Sequence, residues 1–436
     1  MNDRIGFLIP EFPGQTHMFL WRERQALADL GVQAELVSTT RPPVGIVSHS
    51  WSQEARNVTL YLMPFSIRDG VIGLVDLLCS GPARWRVLIG TIRRAEVERR
   101  WERLRLLAMV LPAAKLARAG KRRGWSHLHV HSCGDAANVA MLCSVLSGMS
   151  YSLTLHGPTL ELYGGNQQQK WRHSRFATVI SKRLYRDVVD RLGLVPADKV
   201  HVAPMGVDVD AIRRRQPYRS WSRGQRCRLF SCGRLNAIKG HEDLLQAVSL
   251  LRNGGVDAHL RIAGEDEQGG RGYRTRLEDE IRQAGLGDCV TLLGAVNEET
   301  IRRELEEAHI FVLASHNEGI SVAIMEAMSM EMPVVVTDVG GNRELIDDGV
   351  DGLLVPDAQP QELVQAVLRV LTDQQLAARL QMNARAKIIA HFNHHISAVK
   401  LAARLTGGND VGSLSPDTSI WLGQSSEGVS AIGAQI

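Results

Sequence analysis

The chain has 436 residues, 44% of them hydrophobic and 22% charged, enough apolar material for a large core, so it is not a disordered chain and its length predicts two or three domains. Its formal net charge of +4 is small for that size, which excludes a general nucleic-acid role unless the charge is concentrated on one face. Six cysteines with no Cys-x-x-Cys pair fit a reduced, cytoplasmic protein and disfavour both a disulfide scaffold and a thiolate zinc site.

The short apolar run at 5–9, stopped by Pro10, reads as a first strand, because it lacks the basic start and long apolar stretch of a signal peptide. No stretch approaches the ~18 uninterrupted apolar residues that span a bilayer, so any membrane contact is expected to be peripheral. Further strand-like runs at 34–37, 128–131, 151–155, 178–180 and 200–202 alternate with helix-like segments, the rhythm of parallel βα units. Between the runs at 34–37 and 128–131 lies a basic segment, 84–123, with thirteen Lys and Arg against three Glu. Together with Trp85, Trp101 and an apolar patch from Leu104 to Leu111, it predicts a helix pair able to lie on an anionic membrane, against the alternative of a solvated insertion. His127, His129 and His131 alternate on one strand face; without a carboxylate or cysteine set at ligand spacing they are expected to be ordinary strand-end histidines. His156 follows the 151–155 strand and precedes Gly157 and Pro158, which puts an imidazole at a strand's carboxyl end, where it either orients a substrate or is a satisfied core group.

Periodicity fails around 206–224, so residues 1–210 are assigned to a first domain and 211–224 to a linker. Asp208-Val209-Asp210 has the form of a metal-binding Asp-x-Asp, but its place at this break predicts a hinge turn. The strand rhythm restarts at 228–232 and continues at 259–263, 290–293, 310–313, 333–337 and 352–355, giving a second α/β domain over 225–390. Leu244, Leu245, Val248 and Leu251 carry helical spacing, with Gly254 and Gly255 as a stop. A last helix over about 360–405 breaks near His391 to His395, and its 391–406 portion is expected to return to the first domain. Residues 407–436 are polar and Gly-rich and predict a disordered tail.

Three loops of the second half carry chemistry. In GRLNAIKG (233–240) Arg234 and Lys239 stand after a strand, where a guanidinium fork and a mobile ammonium can neutralise a pyrophosphate. Gly264 ends the next strand, where a backbone has to pass close to a nucleotide or simply turns. In EGISVAIMEAM (318–328) Gly319 permits a tight turn and the amides after it open a helix, a place to hold phosphate or sugar hydroxyls. Glu318 sits in that turn and Glu326 two turns down the helix, where a carboxylate, an acceptor only, suits the two hydroxyls of a ribose.

With these residues in place, the chain resembles the retaining family-4 glycosyltransferases of GT-B fold, in particular their bacterial exopolysaccharide branch. The pattern Glu-x7-Glu at Glu318 and Glu326, the run from Ser315 to Pro356, GRLNAIKGHEDLLQAV, VTLLGAV and HVAPMGVDVDAI carry the likeness, in family order. The resemblance implies two Rossmann-like domains with parallel sheets facing across a cleft. It implies a nucleotide-sugar donor held by Gly233, Arg234, Lys239, Gly264, Glu318, Gly319, Ile320, Ser321 and Glu326, with Glu318 on the sugar, Glu326 on the ribose and the two cations on the diphosphate. Retention by front-face attack, no metal or other cofactor, and a saccharide or lipid-linked acceptor follow from the same likeness. His156 corresponds to a family His loop facing the cleft, with a catalytic role beside Glu318, Arg234 and Lys239. The first loop, EFPGQTHMFLWRE, resembles the branch's FPxxSETF block in altered form, leaving Gly14 and Thr16 as expected contacts. Glu331 stands where the family usually has glycine. The rival readings are a catalytically silent sugar-binding scaffold and another GT-B enzyme such as an epimerase or phosphorylase; a dinucleotide oxidoreductase is disfavoured because no Gly-x-Gly-x-x-Gly follows the first strand.

Overall fold

The computed structural model describes residues 3–43, 49–97, 99–193 and 196–407; the expected tail from 408 onward lies outside them. Two parallel sheets form. The first contains β1 (Asp3–Glu11), β2 (Val32–Thr40), β3 (Leu60–Tyr61), β4 (His127–Val130), β5 (Ser150–Leu155), β6 (Ala177–Val179) and β7 (Val200–Val202), in the order β3-β2-β1-β4-β5-β6-β7. The second contains β8 (Cys227–Cys232), β9 (Ala258–Ala263), β10 (Val290–Gly294), β11 (Ile310–Leu313), β12 (Val334–Thr337) and β13 (Leu353–Val355), in the order β10-β9-β8-β11-β12-β13. Every pairing is parallel. In each sheet the order reverses beside the first strand, which opens a crevice at the carboxyl ends. β4, β11 and β12 are buried along their whole length, as strands covered by helices on both faces must be.

Between the sheets the chain runs without a strand or helix from 203 to 226. Asp208 accepts from the amides of Asp210 and Ala211 at 3.2 and 2.9 Å, so this Asp-x-Asp makes a turn, as expected. Arg214 fastens the linker to the second domain through the carbonyls of Leu305, Glu306 and Met330.

The C-terminal segment differs from the single broken helix read from sequence: it forms Pro360–Thr372, Gln374–His391 and His394–Thr406. The additional break falls at Asp373, whose side chain accepts from the Leu376 amide and so caps the second helix. The third helix packs on helix Met18–Asp29 of the first domain, joining Ala398, Leu401 and Leu405 to Leu20 and Trp21 in one core cluster. His394 marks the crossing, its amide bonded to the Val207 carbonyl at 3.1 Å.

The basic segment is not a helix pair. It folds as Pro82–Arg93, Arg100–Ala108 and Val110–Arg123, preceded by a further helix, Ile67–Cys79. Of the expected apolar patch, Leu106 and Val110 belong to the core, while Leu104 and Leu107 face solvent. Part of the charge is neutralised: Lys115 and Arg118 pair with Asp69 and Asp76 on Ile67–Cys79, and Arg123 pairs with Glu35.

Candidate active site

The crevices of the two sheets face each other and enclose a cavity of about 350 Å³. The loop after β8 brings Gly233, Arg234 and Lys239, the loop after β9 brings Gly264, and the segment after β11 brings Glu318, Ile320, Ser321 and Glu326; His156 enters from β5 across the gap. Nine residues predicted from sequence therefore share one cavity.

Lys239 Nζ lies 2.5 Å from Glu318 Oε1, which also accepts from Ser315 Oγ at 2.8 Å. Both partners are largely buried, so the ammonium is held on the Glu318 carboxylate rather than swinging in solvent. The first amides of the helix Val322–Ser329 have no carbonyl one turn back, and Ser321, its N-cap, makes no side-chain cap. Ile320, Ser321, Val322 and Ala323, which carry those amides, line the same cavity as Lys239. Arg234 stands half-exposed, bonded to Glu267 at 2.9 Å, a surface pair that an arriving anion can outcompete. Glu326, partly buried deeper in the helix, is pushed up to about 7 by burial of its carboxyl.

Two predicted residues serve elsewhere. Gly14 does not line the cavity; a Cβ there would lie 2.7 Å from the His17 ring, and its neighbours Gln15 and Thr16 line the wall instead. Gly319 is turned to the other domain: a Cβ on it would stand 2.4 Å from the His156 carbonyl oxygen, so any side chain would push the domains apart. Gly264, at φ 141° and with a would-be Cβ 1.8 Å from the Gly233 carbonyl oxygen, lets the loops after β8 and β9 pack against each other.

Sequence reasoning missed Gln15, whose amide exchanges two hydrogen bonds with the backbone of Glu265 at 3.0 and 3.3 Å, and His49, which reaches Glu298 at 3.4 Å. Both tie the first domain to the second, and neither carries a local signal. His156 is pushed down to about 3, first by burial and then by His17, so its imidazole is neutral. Its ring stacks on His131 at 5.2 Å and touches Phe19. His127 and His129 are held by the hydroxyls of Ser150, Ser152 and Thr154. Among the described residues one trio, Asp243, His316 and Asp357, has ligand atoms within 4.8 Å of one another.

The comparisons with known proteins agree with this geometry. Residues 19–211 match the family model described as Glycosyltransferase Family 4, and residues 219–387 match Glycosyl transferases group 1. The chain is 27% identical over 419 residues to the amylovoran biosynthesis glycosyltransferase AmsK of Erwinia amylovora, covering 92% of this chain and 98% of that one. It is 31% identical over 277 residues to the alpha-D-kanosaminyltransferase of Streptomyces kanamyceticus, covering 59% and 70%. Among solved structures, Anabaena HepE in complex with UDP and glucose superposes with a TM-score of 0.69 at 17% identity, over 92% of this chain and 99% of that one.

Proposed function

This chain belongs to glycosyltransferase family 4 and has the GT-B fold; from that premise we propose that it transfers a sugar, with retention of configuration, from a nucleoside-diphosphate sugar to a saccharide or lipid-linked acceptor in exopolysaccharide assembly. The observation that carries the reading is the convergence of Lys239, Glu318, the open amides before Val322 and Glu326 in one interdomain cavity. A ribose diol suits Glu326, a diphosphate suits Arg234 with Lys239, and sugar hydroxyls suit Glu318 with the amides of Ile320 and Ser321. The amylovoran enzyme, similar over nearly its whole length, supports the exopolysaccharide setting.

In this reaction the acceptor oxygen, entering beside His156, bonds to the anomeric carbon on the face that the diphosphate leaves. The bond between the anomeric carbon and the phosphate oxygen breaks, the acceptor hydroxyl gives its proton to the neutral imidazole of His156, and Lys239 and Arg234 stabilise the departing charge. A held ammonium, Lys239, and a second cation, Arg234, free to turn to the diphosphate, favour a metal-independent route. The helices from 67 to 123 favour a bilayer as the acceptor's setting. Ile67, Val71, Leu74, Val75 and Leu78 form an exposed stripe along one helix, and the helices that follow expose Val87, Ile89, Trp101, Leu104 and Leu107 together with Arg86, Arg93, Arg94 and Arg103. Among the described residues no helix is long and apolar enough to cross a membrane, so the contact would be peripheral, on a cytoplasmic face.

The test is a thermal-shift screen of nucleotide sugars, since a bound donor raises the melting temperature by mass action, followed by transfer assays with the best donor. Glu326→Ala should weaken donor binding about tenfold or more, as loss of a charged hydrogen-bond acceptor does. Lys239→Ala should lower kcat about a hundredfold while changing nucleoside binding little. Donor binding and turnover left intact in both variants would refute these roles.

A further inference from the structure

Behind the cavity wall two buried polar groups face each other. His131 Nε2 and Glu23 Oε2 lie 3.4 Å apart, and both atoms are enclosed with no hydrogen bond to any other described group. Glu23 comes from helix Met18–Asp29 and His131 from the end of β4. Glu23 presents its other oxygen to Ser397 Oγ at 3.3 Å, on the helix returning from the second domain. On its opposite edge, His131 Nδ1 meets His156 Nε2 at 3.0 Å, with the rings stacked. His156 turns its remaining nitrogen, Nδ1, to Met205 Sδ at 3.2 Å on the cavity wall. One file of atoms thus runs from the cavity through two imidazoles to a carboxyl group.

We propose that Glu23 and His131 are positioning residues that set which nitrogen of His156 is protonated and that take up, at Glu23, the proton an acceptor hydroxyl gives to His156 during transfer. The proposal rests on the reading of the cleft given above. With Glu23 ionised, His131 donates from Nε2 to it and accepts at Nδ1 from His156 Nε2–H, which leaves at the cavity wall a His156 Nδ1 lone pair that the acceptor-only Met205 Sδ cannot satisfy and that an entering hydroxyl, displacing the sulfur, can. When the acceptor oxygen bonds to the sugar, its proton passes to His156 Nδ1. The proton on His156 Nε2 then moves to His131 Nδ1, and the one on His131 Nε2 moves to the Glu23 carboxylate. Each imidazole ends neutral, in its other tautomer, and Glu23 ends protonated; release of that proton resets the file.

The surroundings favour this exchange over an imidazolium. Burial holds His131 well below the usual histidine range and His156 at about 3, whereas it pushes Glu23 up to about 7. The titratable groups that face the file are His17, from the loop before the first helix and itself pushed down to about 4, and His129, the next inward residue of β4. Arg22, beside Glu23 in sequence, points to Asp208 at 3.6 Å. From β1 the ring of Phe7 meets His131 at 4.2 Å and the Leu8 carbonyl accepts from its amide at 2.9 Å, neither of them titratable, and from the returning helix the hydroxyl of Ser397 meets Glu23.

The test is long-range proton–nitrogen NMR of the full chain, ligand-free and labelled with 15N-histidine, from pH 5.5 to 8.5. His131 and His156 should stay neutral and exchange tautomers together with a midpoint near pH 7. In Glu23→Gln, whose amide donates permanently to His131 Nε2, both should be fixed with the proton on Nδ1. With the donor found by thermal shift, Glu23→Gln should lower kcat about a hundredfold, leave the donor KM within about twofold, and abolish the acid limb of the kcat profile. Tautomers that do not change with pH in the unsubstituted chain, or that change equally in Glu23→Gln, would overturn the proposal, as would an unaltered kcat profile. Because the spectra need no substrate, failure to find any donor would count against the assigned reaction and leave the tautomer result standing.

Discussion

At the scale of single residues the interdomain cavity holds a carboxyl group that burial keeps from ionising easily. Glu326 is raised from 4.5 to about 7 by burial, so the folded state prefers it protonated. The stability associated with that preference is complete below the unfolded value and is lost as pH rises through about 7. Above pH 7 the ligand-free protein therefore carries an unpaired carboxylate that the hydroxyls of a ribose would satisfy. Glu326→Gln should stabilise the ligand-free protein by about 1–3 kcal/mol at pH 8. The gain should shrink towards zero by pH 5 in thermal melts, while nucleotide binding weakens; a pH-independent change in melting would contradict the assignment. Arg234, Lys239, Glu318, Glu326 and His156 were legible in the sequence because each sits at a fixed offset from a strand end, where local pattern carries spatial meaning. Gln15 was not, because its partner Glu265 is 250 residues away along the chain, nor was Glu23, which reads as one more polar position on an amphipathic helix. Glu331 adopts φ 56°, a left-handed conformation that favours glycine, which accounts physically for the glycine expected there; Arg385 approaches its carboxylate at 3.6 Å.

At the scale of elements the sequence located most strands to within a residue or two and the helix at His241–Asn253, because strand length and apolar period act locally. It did not show which way helix Ile67–Cys79 faces. The spacing 67, 71, 74, 75 and 78 is that of a core stripe, yet the opposite face, with Gly73, Asp69 and Asp76, is the one packed and paired against Val110–Arg123. Ile67 is 90% exposed. An apolar stripe turned outward beside arginines fits an interfacial helix, whose affinity sums buried apolar area and attraction to anionic lipid. Replacing Leu74 and Leu78 by Glu should reduce binding to vesicles of 30% phosphatidylglycerol in phosphatidylcholine by about tenfold or more, at about 1.5–3 kcal/mol for each buried apolar side chain. Because both side chains face solvent, melting should be unchanged. Sedimentation that shows equal binding of both proteins would remove the bilayer from the proposed function.

At the scale of the whole molecule the two domains are joined by more than the linker. Glu344 of the second domain accepts from the amides of Lys182 and Arg183 at 2.7 and 2.8 Å, supplying a carboxylate to the start of a first-domain helix, where the dipole favours it. Helix His394–Thr406 follows the second domain in sequence but completes the first domain's core. A two-sheet chain and the return of 391–406 to the first domain were both expected from the sequence, whereas the surface this helix covers, against Met18–Asp29, is a long-range packing fact that its own residues do not encode. The arrangement couples the stability of the first domain to the integrity of a helix tethered to the second. Leu401 is buried between that helix and Met18–Asp29, and Leu401→Ala should cost about 3 kcal/mol, as deletion of a buried leucine side chain commonly does. The loss should fall on the first domain. Calorimetry should then separate one transition into two, and UDP, taken up by the second domain under the proposed function, should raise only the upper one. A single transition, raised by UDP as in the unsubstituted chain, would mean that the interdomain contacts around Gln15, His49 and Glu344 suffice to couple the halves without this helix.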